Sequence, residues 1–417
     1  MQRLANPAIA FRRLERKFKA WFIHRLSSLM TPRQLPSPPD WSSRPHRIIM
    51  LRYDRLGDMV LSTGIIKAIA LAQPTVTIDV LASVQNAVVL EGNPHVGNIL
   101  TVDRRRPWTW IVAIGRMRRL RYDAVIDVMV MAPSLTTTLI MGISGAQHRI
   151  GLGDRGHGSS FTLPVARLRD AVHYVDHSAA LLAAFGVDPR SLAERLAQRN
   201  GGLDRRSRSS QTEDTGIGGW GIWRPEIFLT ATEIAGGEAH WRRAASRVGR
   251  AERIDARLVV NVSAGGAWRY WPSTSFIVAM TSLRSKFPRL ECIVIGAPRD
   301  AQRMETIGRM SGAAVTHTAH AREMMAIIAT SDVVFTADTA VTHIASAFGK
   351  PTLVMFARAK ADLWGPYDVP GYVVSTPGES LDSLDVASVL PKLIEVVAAA
   401  SQSARAPAPA LVTARAL

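Results

Sequence analysis

The sequence predicts an α/β protein built as two doubly wound lobes that face each other across a central cleft. Three observations carry this. Arg47–Tyr53 is an apolar run leading into the turn Asp54-Arg55-Leu56-Gly57-Asp58, and then into an apolar-periodic segment through Ile65, Ile66, Ala68 and Ile69. Val333–Ala337 leads in the same way into Asp338-Thr339-Ala340, a second apolar-periodic segment, Gly349-Lys350-Pro351 and a further apolar run from Thr352. Both read as strand, tight turn and helix. Between them apolar runs alternate with helical patterns, as crossover-connected parallel sheets require.

Taken in order, residues 1–45 are a basic segment and a Pro-rich linker. Arg3, Arg12, Arg13, Arg16, Lys17, Lys19 and Arg25 face a single acid, Glu15, and Phe11, Leu14, Phe18, Trp21, Phe22 and Leu29 recur near helical spacing. This fits a basic amphipathic helix lying on a membrane surface. A transit peptide, or a helix docked on the protein's own lobe, would share the pattern. Pro32, Pro36, Pro38, Pro39 and Pro45 mark the linker. The first lobe covers 46–222. Its strands are expected at Arg47, Val76–Leu81, Ile99–Val102 and Ala124–Val130, with helical patterns at Thr109–Arg121 and Leu135–Met141. The Gly-rich stretch 151–160, with Arg155, reads as a mobile loop, and 200–222 as a connection between lobes. His173 and His177 lie one helical turn apart, but no further ligand pattern completes a metal site. The second lobe covers 223–397, with strands at Leu258–Val262, Cys292–Ile295 and Thr352–Phe356, and a helix from Ser273. Residues 398–417 are rich in Ala, Ser and Pro and read as a disordered tail.

A chain of 417 residues, 47% hydrophobic, can bury two sizeable cores. No apolar run reaches the roughly 18 residues of a membrane-spanning helix. The single cysteine, Cys292, excludes disulfides and Cys-based metal sites and fits a reducing compartment. The charge is the compositional outlier, +17 from 51 Lys+Arg against 34 Asp+Glu. Such a field attracts polyanions: nucleic acid, an anionic membrane or a phosphorylated glycolipid. Arg richness can equally reflect a GC-rich genome. No helix-turn-helix, RNP or aromatic-interleaved basic motif points to nucleic acid.

In open parallel sheets the turns after strands bind ligands, and the helix N-terminus that follows favours an anion. Asp338, Thr339 and His343 cluster at one such turn, suggesting a polyhydroxy, phosphate-bearing ligand. Capping alone would also explain Asp338 or Thr339. The turn Ser263–Ala267 is made of small residues, so backbone N–H groups can approach a phosphate. Arg269 can neutralise it, and Asp300, after a strand end, can accept from ribose hydroxyls. The turn at Gly57-Asp58 lacks GxGxxG spacing, so no nicotinamide or flavin is expected.

The segments RLGDMVLSTGIIKAI, EGNPHV, AWRYWPSTSF, ADTAVTHIASAFGKPTLVMF and DLWGPY, in this order, resemble glycosyltransferase family nine, the ADP-heptose:lipopolysaccharide heptosyltransferases, from about Arg47 to about Thr376. The resemblance implies a GT-B architecture of two Rossmann-like lobes, acceptor on the first and nucleotide-sugar on the second. It implies inverting transfer with neither metal nor cofactor. Asp58 matches the family's catalytic base, with Arg55, Gly57 and Arg155 on the acceptor side. Arg269 stands where the family has a lysine that stabilises the departing diphosphate. Asp338, Thr339, Thr342 and His343 match the donor-binding motif, in which Ala340 replaces a usual glycine; Ser263 and Asp300 are the further donor-side candidates, and Gly64 stands where a proline is commoner. The single cysteine does not fit the iron-binding subgroup that modifies autotransporters. The partners implied are an ADP-sugar, an anionic lipopolysaccharide-core acceptor and the anionic inner face of the cytoplasmic membrane, with the enzyme peripheral on its cytoplasmic side.

Overall fold

The computed structural model describes residues 33–130, 134–154, 158–169, 171–192, 223–247, 254–357, 361–376 and 378–403, together with Trp21 and Arg25. The chain divides into two compact units, Met1–Leu203 and Asp204–Leu417. The boundary expected at 222/223 and the connection expected over 200–222 lie outside the described residues, as does most of the N-terminal segment.

The first unit holds β1 (His46–Arg52), β2 (Val76–Ser83), β3 (Ile99–Val102), β4 (Ala124–Asp127), β5 (His148–Leu152) and β6 (Leu163–Val165). They form one parallel sheet in the order β3-β2-β1-β4-β5-β6. The helices are α1 (Leu56–Ala72), α2 (Trp108–Leu120), α3 (Leu135–Ile143) and α4 (Tyr174–Ala179). The strands are near-continuous apolar runs because both faces are covered. On one face Ile49, Leu51, Leu81 and Val125 meet Ala113 and Met117 of α2 and Ile140 and Met141 of α3.

Two sequence expectations change here. The Pro-rich linker is fastened to this unit: Leu35 N donates to Thr162 O, and buried Trp41 donates through Nε1 to Ala184 O at 2.8 Å. The indole also packs against Phe185 at 5.0 Å, edge-on to His46 and His148. The Gly-rich stretch after Gly151 does not start as a loop, because Gly151 and Leu152 end β5. A Cβ at Gly151 would lie 2.3 Å from the Phe161 ring, so this glycine serves close packing. His173 caps α4 by accepting from Val175 N at 3.2 Å.

The second unit repeats the topology. It holds β7 (Ala256–Asn261), β8 (Leu290–Ile295), β9 (Ala314–Val315), β10 (Val333–Ala337), β11 (Thr352–Ala357) and β12 (Gly371–Thr376), in the order β12-β11-β10-β7-β8-β9, all parallel. Its helices are α5 (Ala231–Arg247), α6 (Ser273–Lys286), α7 (Ala301–Ser311), α8 (Ala321–Ala329), α9 (Ala340–Ala347), α10 (Ala361–Trp364) and α11 (Val386–Ser403). Trp271, Phe276 and Phe335 interlock as near-perpendicular and tilted rings in its core. Cys292 is a buried β8 residue. The tail expected from Ala398 begins later: α11 continues to Ser403, Ala400 is buried and Ser401 Oγ donates to Val397 O. Alanine is the strongest helix former, so an Ala-rich stretch extends a helix that is already packed.

In both sheets the strand order reverses between the first and fourth strands, β1/β4 and β7/β10. Ligands of open α/β sheets bind outside the carboxyl ends of such strands.

Candidate active site

In the first unit, β1 ends on Arg52, whose side chain is 2% exposed although it carries a full charge. A buried charge must be paired and hydrogen-bonded, and here every arm is used. Nε donates to Asp58 O at 3.1 Å, Nη1 to Val128 O at 3.2 Å and Nη2 to the Tyr174 hydroxyl at 2.6 Å. Carboxylates of Asp54 and Asp58 lie 3.4 and 3.7 Å from the guanidinium. Burial works against the Arg52 charge, but Tyr174, Asp54, Asp58 and Asp127 outweigh it and hold the charge firmly. The Tyr174 hydroxyl in turn donates to Val128 O at 2.7 Å, and burial raises its phenol. Strands β1 and β4 and helices α1 and α4 are thus tied to one cation.

Asp58 sits in the first turn of α1, while exposed Arg55 is the N-cap and makes no side-chain cap bond. The Asp58 carboxylate is therefore not consumed by capping, and it lies at the positive end of the helix. Gly57 beside it is buried. Asp54 lies within hydrogen-bonding reach of Asp58. Burial pushes the Asp54 carboxyl up to about 6; the Asp58 charge adds to the rise and Arg52 opposes it. Arg155 lies outside the described residues.

In the second unit, β7 ends on buried Asn261. Its amide donates to Ser263 O at 3.1 Å, Thr336 Oγ1 at 2.9 Å and Thr339 Oγ1 at 3.2 Å, joining the turns after β7 and β10. Thr339 is the N-cap of α9, accepting from Val341 N at 3.2 Å, so capping is at least part of its work. Ser263 Oγ donates to Asp300 Oδ2 at 2.5 Å and accepts from Ala297 N at 2.7 Å. The Tyr270 hydroxyl donates to the same carboxylate at 3.1 Å. Arg269 pairs with Asp338, Nη1 to Oδ2 at 3.1 Å and to the backbone O at 3.1 Å, and its guanidinium lies 4.3 Å over the Trp268 ring.

Three polar atoms of this turn are buried without a hydrogen-bond partner: Arg269 Nε, Thr342 Oγ1 and His343 Nδ1. Such atoms cost stability unless something occupies them. Burial pulls the His343 imidazole down to about 4, so it is neutral near pH 7 and can accept or donate. Trp364 lies 6.4 Å from the His343 ring. Ala340, half-buried, opens α9.

Ser263, Asp300 and Thr339 are thus joined through Asn261, the Arg269–Asp338 pair adjoins Thr339 along the chain, and Thr342 and His343 follow in the first turn of α9. Asp58 belongs to the separate rim of the first unit. Sequence reasoning passed over Asn261, Tyr270, Arg52, Asp54 and Tyr174. Asn261 and Arg52 carried a signal, a polar residue ending an otherwise apolar strand.

The model of glycosyltransferase family 9 (heptosyltransferase) matches residues 112–393. A search of curated proteins gives no match. Among solved structures, a family 9 glycosyl transferase from Veillonella parvula DSM 2008 superposes with a TM-score of 0.65 at 15% identity, covering 87% of this chain and 99% of its own. E. coli ADP-heptose lps heptosyltransferase II gives 0.60 at 17% identity, covering 85% and 99%. E. coli heptosyltransferase WaaC, solved with ADP, gives 0.60 at 15%, covering 84% and 99%. These likenesses carry the fold, two Rossmann-like lobes of the GT-B class, and the family match covers most of the chain. The chain belongs to glycosyltransferase family 9, the heptosyltransferases.

Proposed function

We propose that this glycosyltransferase moves heptose, or a similar sugar, from an ADP-sugar to a lipopolysaccharide core or related glycolipid, with inversion and without a metal. The observation that carries the reading is the second unit's rim. It combines a guanidinium, a carboxylate beside a small-residue turn, and buried polar atoms of α9 that lack partners. A nucleoside diphosphate offers complementary groups to each.

In this reading the acceptor hydroxyl gives its proton to Asp58 as its oxygen attacks the anomeric carbon. The bond from that carbon to the diphosphate oxygen breaks, and ADP leaves with the electron pair. Arg269 meets the charge developing on the diphosphate. To do so it leaves Asp338, whose carboxylate can then accept from a sugar hydroxyl. Asp300 accepts from ribose hydroxyls.

The test is nucleotide release from a panel of ADP-, UDP- and GDP-sugars with a delipidated core acceptor. ADP-heptose is expected to turn over, and Asp58→Asn to slow turnover by about 10²–10⁴-fold with donor affinity little changed. Turnover with UDP- or GDP-sugars alone would reject the donor, and a near-normal Asp58→Asn rate would reject the base.

A further inference from the structure

Helix α2 is apolar on two faces. Trp110, Ala113, Met117 and Leu120 face the core of the first unit, with Trp110 edge-on to Tyr53 at 5.1 Å. The opposite face carries Trp108, Ile111 and Val112, which are 58%, 74% and 65% exposed. At 100° per residue these three form one stripe with Gly115. An outward row of a tryptophan and two branched aliphatics costs solubility and calls for a partner.

The surroundings of the stripe say which. Arg104, Arg105 and Arg106 precede the helix, Arg116, Arg118 and Arg119 lie in its last turns, and Arg121 follows; all seven are exposed. No acid occurs between Asp103 and Asp123. A second copy of this face would bring the same arginines together, and the N-terminal segment is itself strongly basic, so charge disfavours both as occupants. An anionic lipid surface fits both features: the apolar stripe enters the acyl boundary and the guanidinium collar meets headgroup phosphates.

We infer that the outer face of α2 is a membrane-docking surface for anionic bilayers, separate from the N-terminal segment. It starts at the carboxyl edge of the sheet, the edge that carries Asp54 and Asp58. Tyr53, between Arg52 and Asp54, is the residue on which Trp110 packs. Docking there holds the site edge near the headgroup layer. The inference rests on the proposed lipid-borne acceptor only for its purpose; binding itself is measurable without turnover.

The experiment places a polarity-sensitive fluorophore on Ile111→Cys in the full chain, and on Met310→Cys as a control in the second unit, where Met310 is 59% exposed. The native Cys292 is buried and stays unlabelled in the folded protein. With phosphatidylglycerol-containing vesicles the label at 111 should shift to the blue and brighten, and the label at 310 should not. Pure phosphatidylcholine vesicles should leave both unchanged. Ile111→Ser with Val112→Ser should lower vesicle partitioning roughly tenfold, given the apolar area withdrawn, and leave turnover of a delipidated acceptor within about twofold. An unshifted 111 label in protein that co-sediments with vesicles would overturn the inference, as would equal binding to neutral vesicles. A blue shift that instead follows protein concentration without lipid would assign the face to self-association and reject the lipid surface. If no sugar donor turns over yet the 111 label shifts, the proposed reaction fails and the docking surface stands.

Discussion

At the scale of single residues, the first unit's chemistry turns on how Arg52 is shared. One buried guanidinium serves two carboxylates, a phenol and two carbonyls. Asp54 holds its proton up to about pH 6 because burial and the Asp58 charge outweigh Arg52. Below that pH the proton sits between the two carboxyls and the pair is a weaker base; above it the pair is free to accept. The rate should therefore rise as pH climbs through about 6. Asp54→Asn should remove that limb and move the acid fall-off to lower pH. A pH–rate profile of the variant that still bends near 6 would assign the limb to another group. Arg52, Asp54 and Asp58 were all visible in the sequence, yet only Asp58 stood out, because a motif marks it. The roles of Arg52 and Asp54 arise from β4 and α4, which bring Val128 and Tyr174 in from distant parts of the chain.

Elements follow the same division between local and distant causes. Apolar runs such as Ile99–Val102 were legible to the residue, with Leu100 and Val102 buried on the inner side of an edge strand. Helix α5 was passed over, although Thr230 and Glu233 form a reciprocal capping box, Glu233 Oε2 accepting from Thr230 N at 2.7 Å and Thr230 Oγ1 from Glu233 N at 3.2 Å. Its Gly236-Gly237 pair reads locally as a break. The packing partner resolves this: a Cβ at Gly237 would lie 2.4 Å from Ala326 O of α8, whereas one at Gly236 would meet nothing. The approach lets His240 reach Glu323 at 2.8 Å and Trp241 donate to Thr330 at 3.0 Å. Arg322 joins the same seam, and its hydrogen bonds hold the Glu233 carboxyl down near 2. Gly237→Ala should therefore cost about 1–3 kcal/mol by forcing the helices apart. Gly236→Ala should gain about 0.5–1 kcal/mol through helix propensity alone. Urea unfolding of the two variants separates them; equal effects would mean that backbone entropy, not contact, governs the pair. Strands β5, β6 and β9 escaped the sequence reading because they are short or interrupted by Gly and Pro, and β12, opened by Gly371, was passed over as well.

For the whole molecule, charge and attachment matter more than any one contact. No described helix is long and apolar enough to cross a membrane. A net charge of +17 attracts anionic surfaces, and its pull should fall as salt shortens the Debye length to about 8 Å at 0.15 M. Removing the N-terminal segment tests its share, and the structure sets where to cut. Trp41 belongs to the core of the first unit, so a deletion through residue 44 would unseat it. A deletion of 1–32 keeps it. That truncated protein should stay folded, retain turnover of a delipidated acceptor, and bind phosphatidylglycerol vesicles more weakly. Unchanged binding would leave the α2 face as the whole contact.

The fastening of residues 35–41 has one more consequence. The pin at Leu35 lies just past the end of the basic segment, on the same unit as α2. A bilayer contact made by the segment would be joined to the one proposed for α2 through the intervening chain. Two individually weak contacts joined in this way multiply instead of adding, because the second engages at an effective concentration set by the chain between them. Dwell time on a bilayer should then depend steeply on its density of anionic lipid, and lengthening the chain between residues 32 and 35 with a flexible insert should shorten that dwell while leaving each grip intact.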